Sequence, residues 1–241
     1  MIVTNDAIVL SSRKFSDTSK IITVFTKDYG KVSLIAKGAR TMKSKFGSSI
    51  EPLSSLTATF YLKPNTDLYL LSKSEILNKW IRIYNSSEHI AMGFALVETV
   101  SITQEVKHPN SELYSMLSDC LSYLNELPNN PGNCLIWFFY KYVEFLGFDL
   151  NLTKEFSDDY IYTILIDTGS VISNTQIRHR LLFKMKGELL TKLKQVSENE
   201  LHAIDDIAIN KIEFSTLYNF FGTYFSYHLD MNFVLKSGSI L

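Results

Sequence analysis

The chain has 241 residues, of which 46% are hydrophobic and 20% are charged, and this composition excludes an intrinsically disordered protein. Its formal net charge of −1 hides an uneven distribution, because residues 1–80 carry 12 basic and 6 acidic residues whereas residues 81–241 carry 12 and 19. A basic N-terminal third beside an acidic remainder favours a polyanion-binding module joined to a region with a different partner.

Five short strands are predicted before residue 78. They are separated by turn residues at roughly ten-residue spacing, and no helical period lies between them. The predicted strands cover residues 7–12, 20–27, 31–36, 52–63 and 68–77. For about 75 residues with five strands, the most economical arrangement is a small Greek-key barrel of the oligonucleotide-binding (OB) type.

A cluster of cations follows the third predicted strand. No acidic residue interrupts the cluster, which consists of Lys37, Arg40, Lys43 and Lys45. A strand that leads through a glycine into several cations is typical of a phosphate-binding loop, although a charge run alone is more often a solvated surface. Phe46 beside the cluster and Phe15 in the first turn offer rings on which a base could stack.

From residue 80 the pattern becomes helical. Ser86 begins a capping sequence for a helix that extends to about residue 105, and further helices are predicted at 111–127 and 134–146. A small hairpin is predicted at 160–172, followed by helices at about 175–194, 197–204 and 215–231 and a frayed end at 235–241. The predicted fold class is α+β multidomain. An OB-fold β-barrel would occupy residues 1–79, and a mostly α-helical domain that contains the hairpin would occupy residues 80–241.

The two cysteines, Cys120 and Cys134, are too few for a disulfide framework and lack the Cys-x-x-Cys spacing of a zinc site. The first ten residues do not resemble a signal peptide, and the longest apolar run, 134–140, is far below the ~20 residues that span a bilayer. We therefore expect a cytoplasmic protein that does not bind membranes.

Enzymatic motifs are absent from the sequence. It has no Walker loop, dinucleotide-binding glycine pattern, zinc-protease motif or nucleophile elbow, and its five histidines are scattered. The acidic pairs Asp158-Asp159 and Asp205-Asp206 could bind a divalent ion, but such pairs are usually solvated or capping. We expect neither catalysis nor a cofactor.

Several short motifs together resemble one bacterial family, that of the DNA repair and recombination mediator RecO. The most specific are NDAIVL at 5–10, FSDTSK at 15–20, IITVFTKDYGK at 21–31, KGAR at 37–40 and KFG at 45–47. EPL at 51–53 and SE at 74–75 are weaker, and LGF at 146–148 and YHL at 227–229 are similar to the family's helical domain.

This resemblance implies a non-enzymatic function. RecO proteins combine an OB fold with a helical domain, bind single- and double-stranded DNA and anneal complementary strands. With the partner RecR they help to load RecA onto DNA coated by single-strand-binding protein, and they engage the acidic C-terminal tail of that protein. A cytoplasmic, nucleoid-associated location follows.

The resemblance also implies DNA contacts at particular positions. Lys37, Arg40 and Lys45 match family cations that contact the backbone, and Lys45 stands where many members have arginine, a bidentate donor. From charge alone, Arg13, Lys14 and Lys20 could extend the same surface. The tail pocket should be an apolar groove rimmed by cations, for which the main basic cluster of the second domain is proposed: Arg178, Arg180, Lys184 and Lys186.

The sequence departs from the family pattern at one place. Many RecO proteins hold zinc in a four-cysteine module within the helical domain, but residues 149–172 contain no cysteine, which excludes such a metal site there. The hairpin at 160–172 is expected to take the module's place. An alternative function, that of a protein-interaction adaptor whose barrel binds a protein rather than DNA, stays open.

Overall fold

A five-stranded barrel forms the N-terminal part of the computed structural model, which describes residues 1–173 and 181–239. Its strands are β1 (Ile2–Lys14), β2 (Lys20–Thr26), β3 (Gly30–Ala36), β4 (Ser54–Tyr61) and β5 (Leu68–Lys79). Each strand pairs with two others in the order β1-β2-β3-β5-β4, and β4 pairs back to β1, so the sheet closes. All pairs are antiparallel except the short parallel pair of β3 with β5. The predicted OB-type barrel is confirmed.

The barrel closes around side chains that alternate along its strands. On β4, Leu56, Ala58 and Phe60 are fully buried, whereas the intervening Thr57 and Thr59 are partly exposed. This two-residue period is the pattern of a strand with one face in a core. Burial of each large apolar side chain stabilises the fold by roughly 1.5–3 kcal/mol, so the inward faces supply most of the barrel's stability.

One end of the barrel is fixed to the segment that follows the first helix. Gly30, at the turn between β2 and β3, has a φ of +67°, and a Cβ there would lie 2.2 Å from the carbonyl oxygen of His108. The Lys107 N–H donates to the carbonyl of Lys31 at 3.0 Å, and the Lys31 ammonium donates to the carbonyl of Ser101 at 2.6 Å. Because the ammonium is partly buried, the pKa of Lys31 is lowered.

Two helices follow the barrel at the predicted positions, α1 (Ser87–Thr103) and α2 (Ser111–Glu126). Ser86 caps α1, as predicted, by accepting a hydrogen bond from the N–H of His89. The prediction of a frayed end was wrong for residues up to 239, because Ser237 is buried and its N–H and hydroxyl donate to a carboxylate oxygen of Glu98 at 3.0 and 2.9 Å. Residues 236–239 form a 3-10 turn.

The chain divides into two compact units by its contacts. The first consists of residues 1–126 and the segment from Leu235 onward, and the second consists of residues 127–234. The barrel therefore shares its unit with α1 and α2. The domain boundary after residue 79 stays a prediction.

The second unit combines helices with a small sheet. Its helices are α3 (Pro131–Phe145), α4 (Gly187–Glu198) and α5 (Lys211–His228), and its strands, paired in the order β7-β6-β8, are β6 (Ile161–Leu165), β7 (Val171–Ile172) and β8 (Leu182–Lys186). The predicted hairpin is β6 with β7. The helix predicted at 175–194 was wrong at 182–186, where the chain pairs with β6 instead, and its residues 175–180 lie outside the described residues.

Two further helix predictions have different outcomes. The helix predicted at 197–204 was wrong, because α4 ends at Glu198 and only a 3-10 turn, Leu201–Ala203, follows. The helix predicted at 215–231 is present as α5, which begins earlier because Asn210 and Glu213 form a capping box.

A cluster of rings fastens the small sheet to α5. The His228 ring stacks on Phe148 with 4.4 Å between centroids and lies 4.3 Å from Tyr224, while its Nε2 is 2.7 Å from the carbonyl oxygen of Ile166. The Tyr224 hydroxyl donates to the carbonyl of Phe148 at 3.0 Å. Burial raises the pKa of Tyr224 to about 12, so its hydroxyl is a proton donor at physiological pH. Ring packing and hydrogen bonds therefore hold the region of residues 149–172, which contains no cysteine.

Candidate nucleic-acid interface

The predicted basic loop, residues 37–46, connects β3 to the 3-10 turn Gly47–Ile50. Gly38 has a φ of +73° and no atom lies within 4 Å of an added Cβ, so glycine serves the turn rather than a close approach. The N–H of Thr41 donates to Gly38 and that of Ser44 to Thr41, at 3.2 and 3.0 Å. The loop is thus a series of hydrogen-bonded turns.

Arg40 joins this loop to the turn between β1 and β2, residues 15–19. Its backbone N–H donates to the carbonyl of Thr18 at 2.9 Å, and its guanidinium Nη1 donates to the carbonyl of Ser16 at 2.8 Å. The two segments that carry the predicted DNA-binding cations are therefore neighbours in space. We call their seven cations the basic surface: Arg13, Lys14, Lys20, Lys37, Arg40, Lys43 and Lys45.

Strand register places part of the basic surface at one rim of the barrel. Lys14 pairs with Lys20 across β1 and β2, and Lys20 pairs with Ala36 across β2 and β3. Lys37 follows Ala36 directly. These cations thus lie on the ends of three adjacent strands.

The cations of the basic surface differ in their partners. Lys20 forms an ion pair with Glu51, which compensates its charge. The other six are exposed, and no carboxylate among residues 1–173 and 181–239 lies within 4.0 Å of them. Lys45 donates to the carbonyl of Ser72 at 2.6 Å and lies 5.2 Å from the centre of the Phe46 ring, which leaves two of its three N–H donors for a ligand.

The two candidate stacking rings have opposite environments. Phe46 is only 4% exposed and belongs to the hydrophobic core of the barrel, so the expectation that it could stack on a base was wrong. Its apolar ring gains free energy by leaving water for this core, and this gain outweighs the polar character of its sequence neighbours. Phe15 is 52% exposed, and Met42, which the sequence analysis passed over, is fully exposed.

The proposed tail-binding cations lie partly on β8. Arg178 and Arg180 fall outside the described residues, whereas Lys184 and Lys186 line a cavity of about 410 Å³ with Met185, Leu189 and Ile212. Two acids also line the cavity, but Lys192 pairs with both, at 3.2 Å to Glu188 and 2.7 Å to Glu213. Hydrogen bonding to Glu213 and Glu188 raises the pKa of Lys192.

Asp205, the first residue of the acidic pair at 205–206, has a structural role. The carboxylate of Asp205 accepts hydrogen bonds from the backbone N–H groups of Asn129 and Asn130, at 3.1 and 2.8 Å, just before α3 begins. Across the part of the chain that the structure describes, no group of three histidine, cysteine or acidic side chains is placed to hold a metal ion. No helix in these ranges is long and apolar enough to cross a bilayer.

Comparison with known families adds independent information. Residues 1–80 match the family model described as Recombination protein O N terminal, and residues 85–237 match the one described as Recombination protein O C terminal. The two matches together cover nearly all of the chain, and they meet close to the end of β5.

Named relatives agree with these matches. The DNA repair protein RecO of Chlorobium limicola is 27% identical over 246 residues, which cover 95% of this chain and 94% of the relative. The DNA repair protein RecO of Salinibacter ruber is 35% identical over 124 residues, 52% of this chain and 48% of that protein. That of Chlorobium phaeobacteroides is 30% identical over 154 residues, 64% of this chain and 59% of that protein.

Proposed function

Since the chain belongs to the Recombination protein O family, whose role is DNA repair and recombination, we propose that it binds DNA through the basic surface of its barrel. The observation that supports this proposal best is the junction made by Arg40, which brings two cationic segments onto one end of an OB-type barrel. Six exposed cations that have no carboxylate nearby among the described residues suit a phosphate backbone.

Binding of this kind would be electrostatic and nearly independent of sequence. Lysine and arginine neutralise phosphates and release condensed counterions, and phosphate contacts carry no base information. Both single and double strands offer phosphates, so both would bind. Strands held by their backbones keep their bases free to pair, which is how the protein would accelerate annealing.

Further steps of the proposal concern protein partners. Following the family resemblance, the protein would act with RecR to assist the loading of RecA onto DNA coated by single-strand-binding protein, without catalysing a reaction itself. It would work in the cytoplasm, next to the nucleoid. These assignments rest on the family rather than on a contact seen in this chain.

The acidic tail of the single-strand-binding protein would occupy the cavity beside β8. Lys184 and Lys186 would meet the tail's carboxylates, and Met185, Leu189 and Ile212 would receive apolar side chains. Because Ile212 is 80% exposed, part of the gain in free energy would come from its burial. Replacement of Lys184 and Lys186 by Glu should abolish binding of an acidic peptide and leave DNA binding intact.

The salt dependence of DNA affinity tests the central proposal. We would replace four loop cations by alanine (K37A/R40A/K43A/K45A) and measure binding of a single-stranded oligonucleotide between 50 and 200 mM salt. Each lost phosphate contact lowers the slope of log affinity against log salt by about 0.7, so the variant's slope should fall by up to about 2.8. Over a fourfold rise in salt, the four contacts together correspond to about a 50-fold change in affinity.

A matched control removes the same charge elsewhere. Four exposed lysines outside the basic surface serve for this purpose: Lys27, Lys63, Lys154 and Lys211. Their replacement by alanine should leave the slope within about 0.5 of the original value, because only long-range attraction is reduced. Equal slopes for the loop variant and the unmodified protein, with folding intact, would favour the adaptor function instead.

A further inference from the structure

We propose that Phe15 and Met42 contact unpaired bases, so that the basic surface binds single-stranded DNA more tightly than duplex DNA. This inference rests on the proposed DNA binding and adds strand selectivity to it. It assigns the selectivity to two apolar side chains rather than to the cations.

The two side chains are exposed within a cationic environment. Phe15 is 52% exposed at the start of the β1–β2 turn, next to Arg13 and Lys14, and Met42 is fully exposed beside Lys43. A single apolar side chain on a protein surface is ordinary. Here, however, one stands on each of the two segments that Arg40 joins, among cations that suit phosphates.

The backbone that carries Phe15 is held in place. The Phe15 N–H donates to the carbonyl of Ser19 at 3.1 Å, and the carbonyls of Ser16 and Thr18 accept from Arg40. A ring on a fixed turn loses little conformational freedom when a base stacks on it, which increases the net gain in free energy on binding. Met42, on the neighbouring loop, has a flexible and polarisable side chain that can adapt to the face of an unpaired base.

Selectivity follows from where bases are accessible. Phosphates are available in both forms of DNA, so the cations bind either, whereas the bases of a duplex are already stacked and paired. Only a single strand can turn a base towards the ring of Phe15. Stacking contributes about 1–3 kcal/mol per base, which corresponds to about a 5- to 150-fold preference for the single strand.

Paired affinity measurements test the inference. We would compare an oligo-dT strand with a duplex of equal length for the unmodified protein and for F15A, M42A and F15A/M42A. F15A should weaken binding of the single strand by at least about fivefold while duplex affinity stays within twofold and the salt slope is unchanged. Equal losses for both forms of DNA, or no loss for either form, would overturn the inference.

A tryptophan at position 15 gives a direct readout of stacking. In F15W, oligo-dT should quench the new fluorescence, because a base stacked on the indole provides a path for the excited state to decay. The fluorescence of the native Trp80 and Trp137 is subtracted by means of a parallel titration of the unmodified protein. V234W places a control indole at a 65% exposed site of the second unit. Oligo-dT that binds F15W without quenching it would refute base contact.

The two proposals fail in different ways. The loop variant K37A/R40A/K43A/K45A changes the salt slope for both forms of DNA, whereas F15A changes the ratio of the two affinities at a constant slope. If F15A kept both the ratio of single-strand to duplex affinity and the salt slope of the unmodified protein, the proposed strand selectivity would be refuted and the proposed DNA binding would stand.

Discussion

Removal of one carboxylate should strengthen DNA binding. Glu51 forms an ion pair with Lys20, the one cation of the basic surface that has a carboxylate within 4.0 Å among the described residues. The side chains of Lys20 and Glu51 are 21% and 45% exposed, so solvent screens the pair and its loss should cost no more than about 1 kcal/mol of folding stability. The substitution E51Q therefore releases Lys20 without unfolding the barrel.

The expected gain follows from one additional phosphate contact. A contact to single-stranded DNA adds about 0.7 to the salt slope, and at about 0.1 M salt this corresponds to a roughly fivefold gain in affinity, or about 1 kcal/mol. The assay is fluorescence anisotropy of a labelled oligonucleotide titrated with protein at several salt concentrations. Both the affinity and the slope should increase in E51Q.

Two controls separate this effect from general charge. E155Q removes a carboxylate that pairs with Lys194 in the second unit, so it makes the same charge change away from the basic surface and should leave the slope unchanged. K20A should have little effect by itself, because Lys20 is already compensated, but it should cancel the gain in the E51Q background. A slope that stays the same in E51Q, or falls by about 0.7 in K20A alone, would refute the reasoning.

Three further predictions concern the fold around the site. Phe46→Ala should lower the free energy of unfolding by about 3–5 kcal/mol in a denaturant titration, because the side chain is buried. Phe46→Leu should fold and bind DNA as before. A selective loss of DNA binding in the leucine variant would contradict the buried role. Gly30→Ala should be strongly destabilising, because its Cβ would lie 2.2 Å from the carbonyl oxygen of His108. Gly38→Ala, at a similar φ in open space, should cost only about 1 kcal/mol. Equal decreases in melting temperature for the two variants would count against the close approach at Gly30. Because the pKa of Tyr224 is raised from 10.0 to about 12, the stability that its neutral form contributes is complete below pH 10 and is lost as the pH rises towards 12. The fall in melting temperature between pH 9 and pH 11 should therefore be smaller in Y224F than in the unmodified protein. An equal fall in both proteins would show that ionisation of Tyr224 does not cause the loss of stability.

Local patterns were sufficient to predict the barrel. Alternating apolar residues and turn residues are signals within a few positions, and they correctly gave five strands near the observed bounds. The same holds for α1, α2 and α3, whose caps and apolar faces are continuous in the sequence. These features are encoded over short stretches, so a reading of the sequence alone can recover them.

Contacts between distant residues were not predictable in this way. Phe46 is buried in the barrel's core with residues that are distant in the sequence, and Lys20 is compensated by Glu51, 31 positions later. β8 is five residues long and pairs with β6, about twenty positions earlier, so its own sequence does not distinguish a strand from a helix. Met42 was not predicted, because a single apolar residue within a basic loop carries no sequence signal that it is exposed.

The return of residues 235–239 to the unit formed by residues 1–126 has a consequence for biosynthesis. A ribosome releases the barrel, α1 and α2 first, then the whole of the second unit, and only afterwards the segment that bonds to Glu98. Nascent chains would therefore carry an unfinished first unit through most of translation, and a stop codon at residue 235 would damage the barrel's unit rather than the helices made just before it.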